Sequence, residues 1–115
     1  MIVCQLIFKP GTIDDEFEAL DAAIDGHARS LPGFLGGDSW TSHDGALSNA
    51  TYYFDSMETV RELARFDEHR EAKAKHRRWA DGVRVIVSEV KASFGAGLPH
   101  ITDTIVNDNE FRVNV

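Results

Sequence analysis

Residues 34–56, FLGGDSWTSHDGALSNATYYFDS, decide the fold. Two strand-like runs, Phe34 to Ser42 and Leu47 to Asp55, flank His43-Asp44-Gly45, and an Asp-Gly pair supplies the positive φ that a tight hairpin needs. Gly36 and Gly37 weaken the first run and predict a bulge or a close backbone approach there. Ser56 then reads as a helix cap, with Glu58 in the first turn and Met57, Val60 and Leu63 or Ala64 as the apolar stripe.

On the N-terminal side, Ile2 to Phe8 is apolar on both alternating faces except at Gln5 and halts at Lys9-Pro10-Gly11, predicting a strand buried on both sides. Thr12 is the predicted cap of a helix striped by Ile13, Phe17, Leu20, Ile24, Ala28 and Leu31, with Asp14, Asp15 and Glu16 at its positive end. That helix stops at Pro32-Gly33. On the C-terminal side the second helix is predicted to break at Phe66, to be recapped by Asp67, to carry His69 and His76, and to close at Asp81-Gly82. Val83 to Ala92 alternates as a fourth strand. The order is βαββαβ, one α+β domain over residues 1–94, followed by a tail at 95–115 with a strand-like piece around 101–106.

A chain of 115 residues with 43% hydrophobic and 27% charged residues is globular in composition and fits one domain. Its net charge of −7 disfavours a sequence-independent grip on nucleic acid. Lys73 to Arg78, the one basic stretch, reads as a solvated helix face. Cys4 is the only cysteine, which leaves no intrachain disulfide and reads as a buried, inert thiol. With no cationic leader and no apolar run of membrane-spanning length, a cytoplasmic location is expected.

Two helices cover one face of a four-stranded sheet, yet the other face also carries large apolar side chains in either register. An uncovered face of that kind is unusual for a monomer. A symmetric sheet-to-sheet homodimer resolves it, with the tail packing on the partner; the bland alternative is that the tail alone covers the face.

Pro32-Gly33-Phe34, Trp40 with Ser42 and Asp44-Gly45, Thr51-Tyr52-Tyr53-Phe54-Asp55-Ser56, Glu68-His69-Arg70-Glu71-Ala72 and Val85 to Val90 together resemble the antibiotic biosynthesis monooxygenase family of dimeric α/β barrels, over about residues 2–94. The resemblance implies a ferredoxin-like protomer with a four-stranded antiparallel sheet, a barrel formed across a homodimer, and a pocket between sheet and helices. Some members oxidise polycyclic aromatics with dioxygen and no metal or organic cofactor; others bind or degrade haem.

For cofactor-free oxygenation a site needs an apolar slot, an oxyanion-stabilising donor and a base. His69 is the candidate base, and Tyr53 and Asn49 are candidate donors. Gln5, Trp40, Tyr52, Phe54, Phe66 and His76 are candidate substrate contacts, with no metal site. Each aromatic has a plainer reading as core, and which of Tyr52 and Tyr53 faces the pocket depends on register. His76 lies about 10 Å along a continuous helix from His69, too far for one zinc ion. For haem, the resemblance places a tryptophan, a histidine and an asparagine where this chain has Phe54, Lys73 and Gln5, so all three depart; a one-turn shift leaves His69 or His76 as axial ligand. The alternatives to a small-molecule monooxygenase are therefore a haem-binding or haem-degrading protein and a non-catalytic dimer that binds a small ligand.

Overall fold

A computed structural model describes residues 1–94 and Ala96. In chain order these form β1 (Ile2–Pro10), α1 (Asp15–Ser30), β2 (Phe34–Thr41), β3 (Ser48–Phe54), α2 (Met57–Ala64), α3 (Asp67–Lys75), a 3-10 turn (His76–Arg78) and β4 (Ala80–Glu89). The sheet order is β2-β3-β1-β4, with every neighbouring pair antiparallel. This is the expected βαββαβ arrangement. The tail and its strand-like piece lie outside the described residues.

The expected bulge is present: Phe34 faces Phe54 while Gly36 faces Tyr53, so Leu35 is the extra residue. The hairpin turns on Gly45 at φ 76°. Asp44 Oδ1 accepts from Ser42 Oγ at 2.7 Å and from the Ala46 N–H at 3.0 Å, and these bonds hold the Asp44 carboxyl below its usual range. Ser56 caps α2, its side chain accepting from the Thr59 N–H.

Several boundaries differ from the sequence expectation. Asp14, not Thr12, caps α1, its Oδ1 accepting the Phe17 N–H at 2.9 Å; a carboxylate there also meets the positive helix end. Ile13 therefore precedes the helix and stays 39% exposed. Asp67 is the first helical residue of α3 rather than its cap, and Phe66 holds the cap position without a side-chain bond. Asp81 and Gly82 do not close a loop: they lie inside β4, where Gly82 pairs with Lys9 beside a register shift at Lys9/Pro10. Trp79, just before β4, is only 2% exposed and packs on Phe17 at 5.6 Å between ring centroids.

The helices lie on one side of the sheet. Ala28, Phe54 and Leu63 form the buried centre, with Cys4, Ile24, Leu31, Phe34, Tyr52 and Val60 packed around it. Cys4 is half-buried, and burial raises its thiol pKa. Pro32-Gly33 ends α1 tightly because a Cβ on Gly33 would collide with the Asp55 carboxylate and the Thr59 hydroxyl. β1 is less enclosed than expected: no residue in it is fully buried, and Leu6 is 38% exposed.

Candidate functional site

Side chains alternate across a sheet, so the register assigns each strand residue to the helix side or the open side. Cys4, Tyr52 and Phe54 belong to the helix-side core. Leu6, Val83, Val85 and Val87 share that side, because Leu6 pairs with Val85, Phe8 with Val83, and Cys4 with Val87. Val3, Gln5, Ile7, Trp40, Asn49, Thr51, Tyr53 and Ile86 fall on the open side.

α1 is fastened over the β2–β3 half of the helix side. The Tyr52 hydroxyl donates to Asp25 Oδ1 at 2.9 Å, and Arg29 Nε donates to Asp25 Oδ2 at 2.9 Å with its guanidinium 5.3 Å from the Phe34 ring centroid. Gly37 leaves room for this clasp, since a Cβ there would sit 3.2 Å from the Thr51 carbonyl and 3.4 Å from the Tyr52 ring. Burial, then the Asp25 contact, raises the Tyr52 pKa well above the ordinary phenol value, so Tyr52 acts as a neutral hydrogen-bond donor already committed to Asp25.

α3 rides on α1 rather than on β4. Lys75 Nζ reaches Glu16 of α1 at 2.7 Å, and His27 of α1 stacks on Phe66 at 3.9 Å between centroids with an 8° tilt. The Phe8, Phe17 and Trp79 rings close one end of the β1–β4 half. Farther along the same side, Val85 and Val87 remain 60% and 46% exposed. Among the described residues, these apolar side chains are left exposed on the side of the sheet where the helices lie.

A concavity of about 470 Å³ is bounded by Ala64 of α2 and by His69, Arg70, Lys73 and Ala74 of α3. Its volume suits a small organic ligand. His69 is half-buried; desolvation first, then the Lys73 charge, lowers its pKa from 6.5. Its imidazole is therefore neutral at pH 7 and able to accept a proton. A second, smaller crevice of about 90 Å³ includes Asp25, Arg29, Gly37 and Tyr52 in its lining. It is the polar clasp already described.

The sheet divides the sequence candidates. His69 lines the larger concavity, while Tyr53, Asn49, Gln5 and Trp40 occupy the opposite face. His69, Tyr53 and Asn49 do not share a cavity within one chain, because adjacent Tyr52 and Tyr53 must point to opposite sides and Tyr52 is held on the helix side. Asn49 Nδ2 donates to Thr51 Oγ1 at 3.1 Å, and among the described residues its shielded Oδ1 has no partner. Phe54 is fully buried and is core rather than a substrate contact. Phe66 is half-buried against His27 and does not line the concavity. His76 lies in the exposed 3-10 turn with Nδ1 2.9 Å from the Lys73 carbonyl oxygen, also outside it.

Sequence reasoning missed Asp25, Arg70 and Lys73. The i,i+4 spacing of Asp25 to Arg29 and of His69 to Lys73 was the available signal, but it does not say what either face meets. Among the described residues, no group of three or more His, Cys, Asp or Glu side chains is arranged to hold a metal ion. Among them, no helix is long and apolar enough to cross a membrane.

No family model matches the sequence, and no curated protein sequence matches it. Solved structures do match. A Deinococcus radiodurans protein named as a candidate antibiotic biosynthesis monooxygenase superposes with TM-score 0.68 at 10% identity, covering 84% of this chain and 99% of that one. SnoaB, a cofactor-independent oxygenase from Streptomyces nogalater, superposes with TM-score 0.65 at 12% identity, covering 80% and 94%. Rv0793 from Mycobacterium tuberculosis gives TM-score 0.63 at 20% identity, covering 80% and 96%. The chain has the fold of antibiotic biosynthesis monooxygenases, as the sequence resemblance implied.

Proposed function

We propose that this chain is a small oxygenase that uses neither metal nor organic cofactor and acts on an aromatic or enolisable molecule held on the helix side of the sheet. The observation that carries the reading is His69: a half-buried imidazole, driven toward neutrality, in the wall of a concavity on the side of the sheet where, among the described residues, Leu6, Val85 and Val87 are exposed. The fold it shares with SnoaB, a cofactor-independent oxygenase, supports the same chemistry. His69 removes a proton from an activated C–H of the substrate. The carbanion delivers its electrons to dioxygen, a C–O bond forms, and the peroxide loses water as the second C–H proton leaves, so CH₂ and O₂ become C=O and H₂O. The substrate is the reductant.

Oxygen uptake with a panel of hydroxylated polycyclic aromatics, after treatment with a chelator, tests the proposal. One O₂ consumed per substrate oxidised is expected. No uptake across the panel overturns it.

The open side supports the second part of the reading, a homodimer closed sheet to sheet. Trp40 is 58% and Ile86 37% exposed there, beside half-buried Val3, Ile7 and Tyr53, and burying each large apolar side chain contributes about 1.5–3 kcal/mol. Sedimentation equilibrium at micromolar concentration is expected to give the mass of two chains for the native protein and a lower average mass for Trp40→Glu. A native mass of one chain contradicts the dimer.

A further inference from the structure

The concavity beside His69 has an electrostatic character that the oxygenase reading does not require. Along α2, α3 and the 3-10 turn, Arg61 and Arg65 hold Glu58 at 3.7 Å, Lys75 holds Glu16 and Glu71 at 2.7 Å, and Arg78 holds Glu16 at 3.5 Å. Arg70 and Lys73 have no carboxylate within ion-pair distance among the described residues, and both border the concavity. The unpaired acids of these elements are Glu62 on α2 and Asp67 and Glu68 in the first turn of α3, where the helix end favours negative charge, and none of the three lines the concavity. In a chain of net charge −7, this wall presents two uncompensated cations to whatever enters. Lys73 lies near enough to the His69 ring for its charge to be felt there, so a group losing its proton to His69 forms its anion beside an ammonium.

We infer that the ligand of this concavity is an aromatic oxyanion, a carboxylate or phenolate on a flat apolar body, whose negative oxygen is held by Arg70 and Lys73. This rests on the concavity being the ligand site and extends that reading to a ligand class. Arg70 and Lys73 are exposed and beside them His69 is half-buried; an exposed cation offers little in water, but one that meets a ligand oxygen directly forms a charge-assisted hydrogen bond, stronger than a neutral one. Arg70 offers a planar fork and Lys73 a point charge, so the two hold a delocalised oxyanion in one orientation, with its apolar body free to lie against Ala64 and Ala74 of the same concavity.

The test compares 2-naphthoate with 2-naphthamide, a neutral molecule of nearly the same shape, by calorimetric titration at low ionic strength. The native protein is expected to bind the carboxylate about tenfold more tightly than the amide, as two hydrogen bonds to a charged group allow. Raising the salt shrinks that preference. The double variant Arg70→Ala/Lys73→Ala is expected to bind both probes equally, with its affinity for the amide unchanged, whereas Arg77→Ala, which removes a cation outside the concavity, keeps the full preference. Equal affinities in the native protein, a preference that survives the double variant, or no binding of either probe overturns the inference. Because binding is read without turnover, a chain that prefers the carboxylate but consumes no oxygen fails only the oxygenase reading, and one that consumes oxygen without the preference fails only this inference.

Discussion

Replacing His69 with glutamine is expected to lower kcat for oxygen uptake by about a hundred- to ten-thousand-fold, the usual contribution of a positioned general base. Glutamine keeps the polar length of the side chain but cannot take up a proton at neutral pH, so the fold and the concavity survive while the chemistry stops. The pH profile carries a second signature. Desolvation disfavours the imidazolium, and the Lys73 ammonium disfavours it further; both lower the pKa, so the active neutral form persists to more acidic pH than for a free histidine. The rising limb of kcat/KM should therefore have its midpoint below 6.5, with a plateau above. Lys73→Ala removes the repulsion and is expected to move the midpoint up toward 6.5, a displacement that a purely structural Lys73 would not produce. Unchanged turnover in the His69→Gln variant would assign the proton transfer to another group.

Phe54→Ala is expected to destabilise the protein by about 3–5 kcal/mol, measured by urea denaturation. The ring is fully buried between Ala28 and Leu63, with Phe34 at 6.1 Å and Tyr52 at 6.3 Å between centroids. Truncation leaves a cavity that the flanking rings cannot fill without leaving their own contacts. Against a typical domain stability of about 5–15 kcal/mol, the loss is a large fraction of the total. Phe54→Leu fills most of the space and is expected to retain turnover per folded molecule, since Phe54 belongs to the packing and not to the concavity. A loss below about 1 kcal/mol for the alanine variant would mean that the site collapses or is wet.

Those two residues mark how far the sequence could be read. The hairpin, the bulge and the Ser56 cap were legible because each depends on local chemistry: Asp44-Gly45 for the turn, paired glycines beside a strand, a hydroxyl ahead of an apolar stripe. Trp79 was hidden because it sits between Arg77-Arg78 and Asp81-Gly82, a polar setting that reads as a loop, and its burial comes from Phe17 of a helix more than sixty residues away in sequence. Asp81-Gly82 misled for a related reason, since pairing with the end of β1 outweighs the turn preference of those residues. The site was harder to read still. Tyr52 and Tyr53 are equivalent to any local rule, and what separates them is tertiary: Tyr52 packs with Phe34 and Phe54 in the core and donates to Asp25. With Tyr52 on the helix side, Tyr53 goes to the other, and Asn49 and Gln5 go with it by alternation. Of the sequence candidates, only His69 remains in the larger concavity, joined there by its neighbour Arg70 and by Lys73, which opens the basic stretch that reads as a solvated helix face.

Whether ligand enters on the helix side, against His69, is decided by following backbone and imidazole NMR signals while 2-naphthoate is added. Shifts are expected to concentrate at Ala64, His69, Arg70, Lys73 and Ala74 and at the uncovered Val85 and Val87, together with a free-state His69 pKa below 6.5. Shifts concentrated instead at Gln5, Trp40, Asn49 and Tyr53, with the His69 signals unmoved, would place the ligand on the opposite face of the sheet and refute entry against His69.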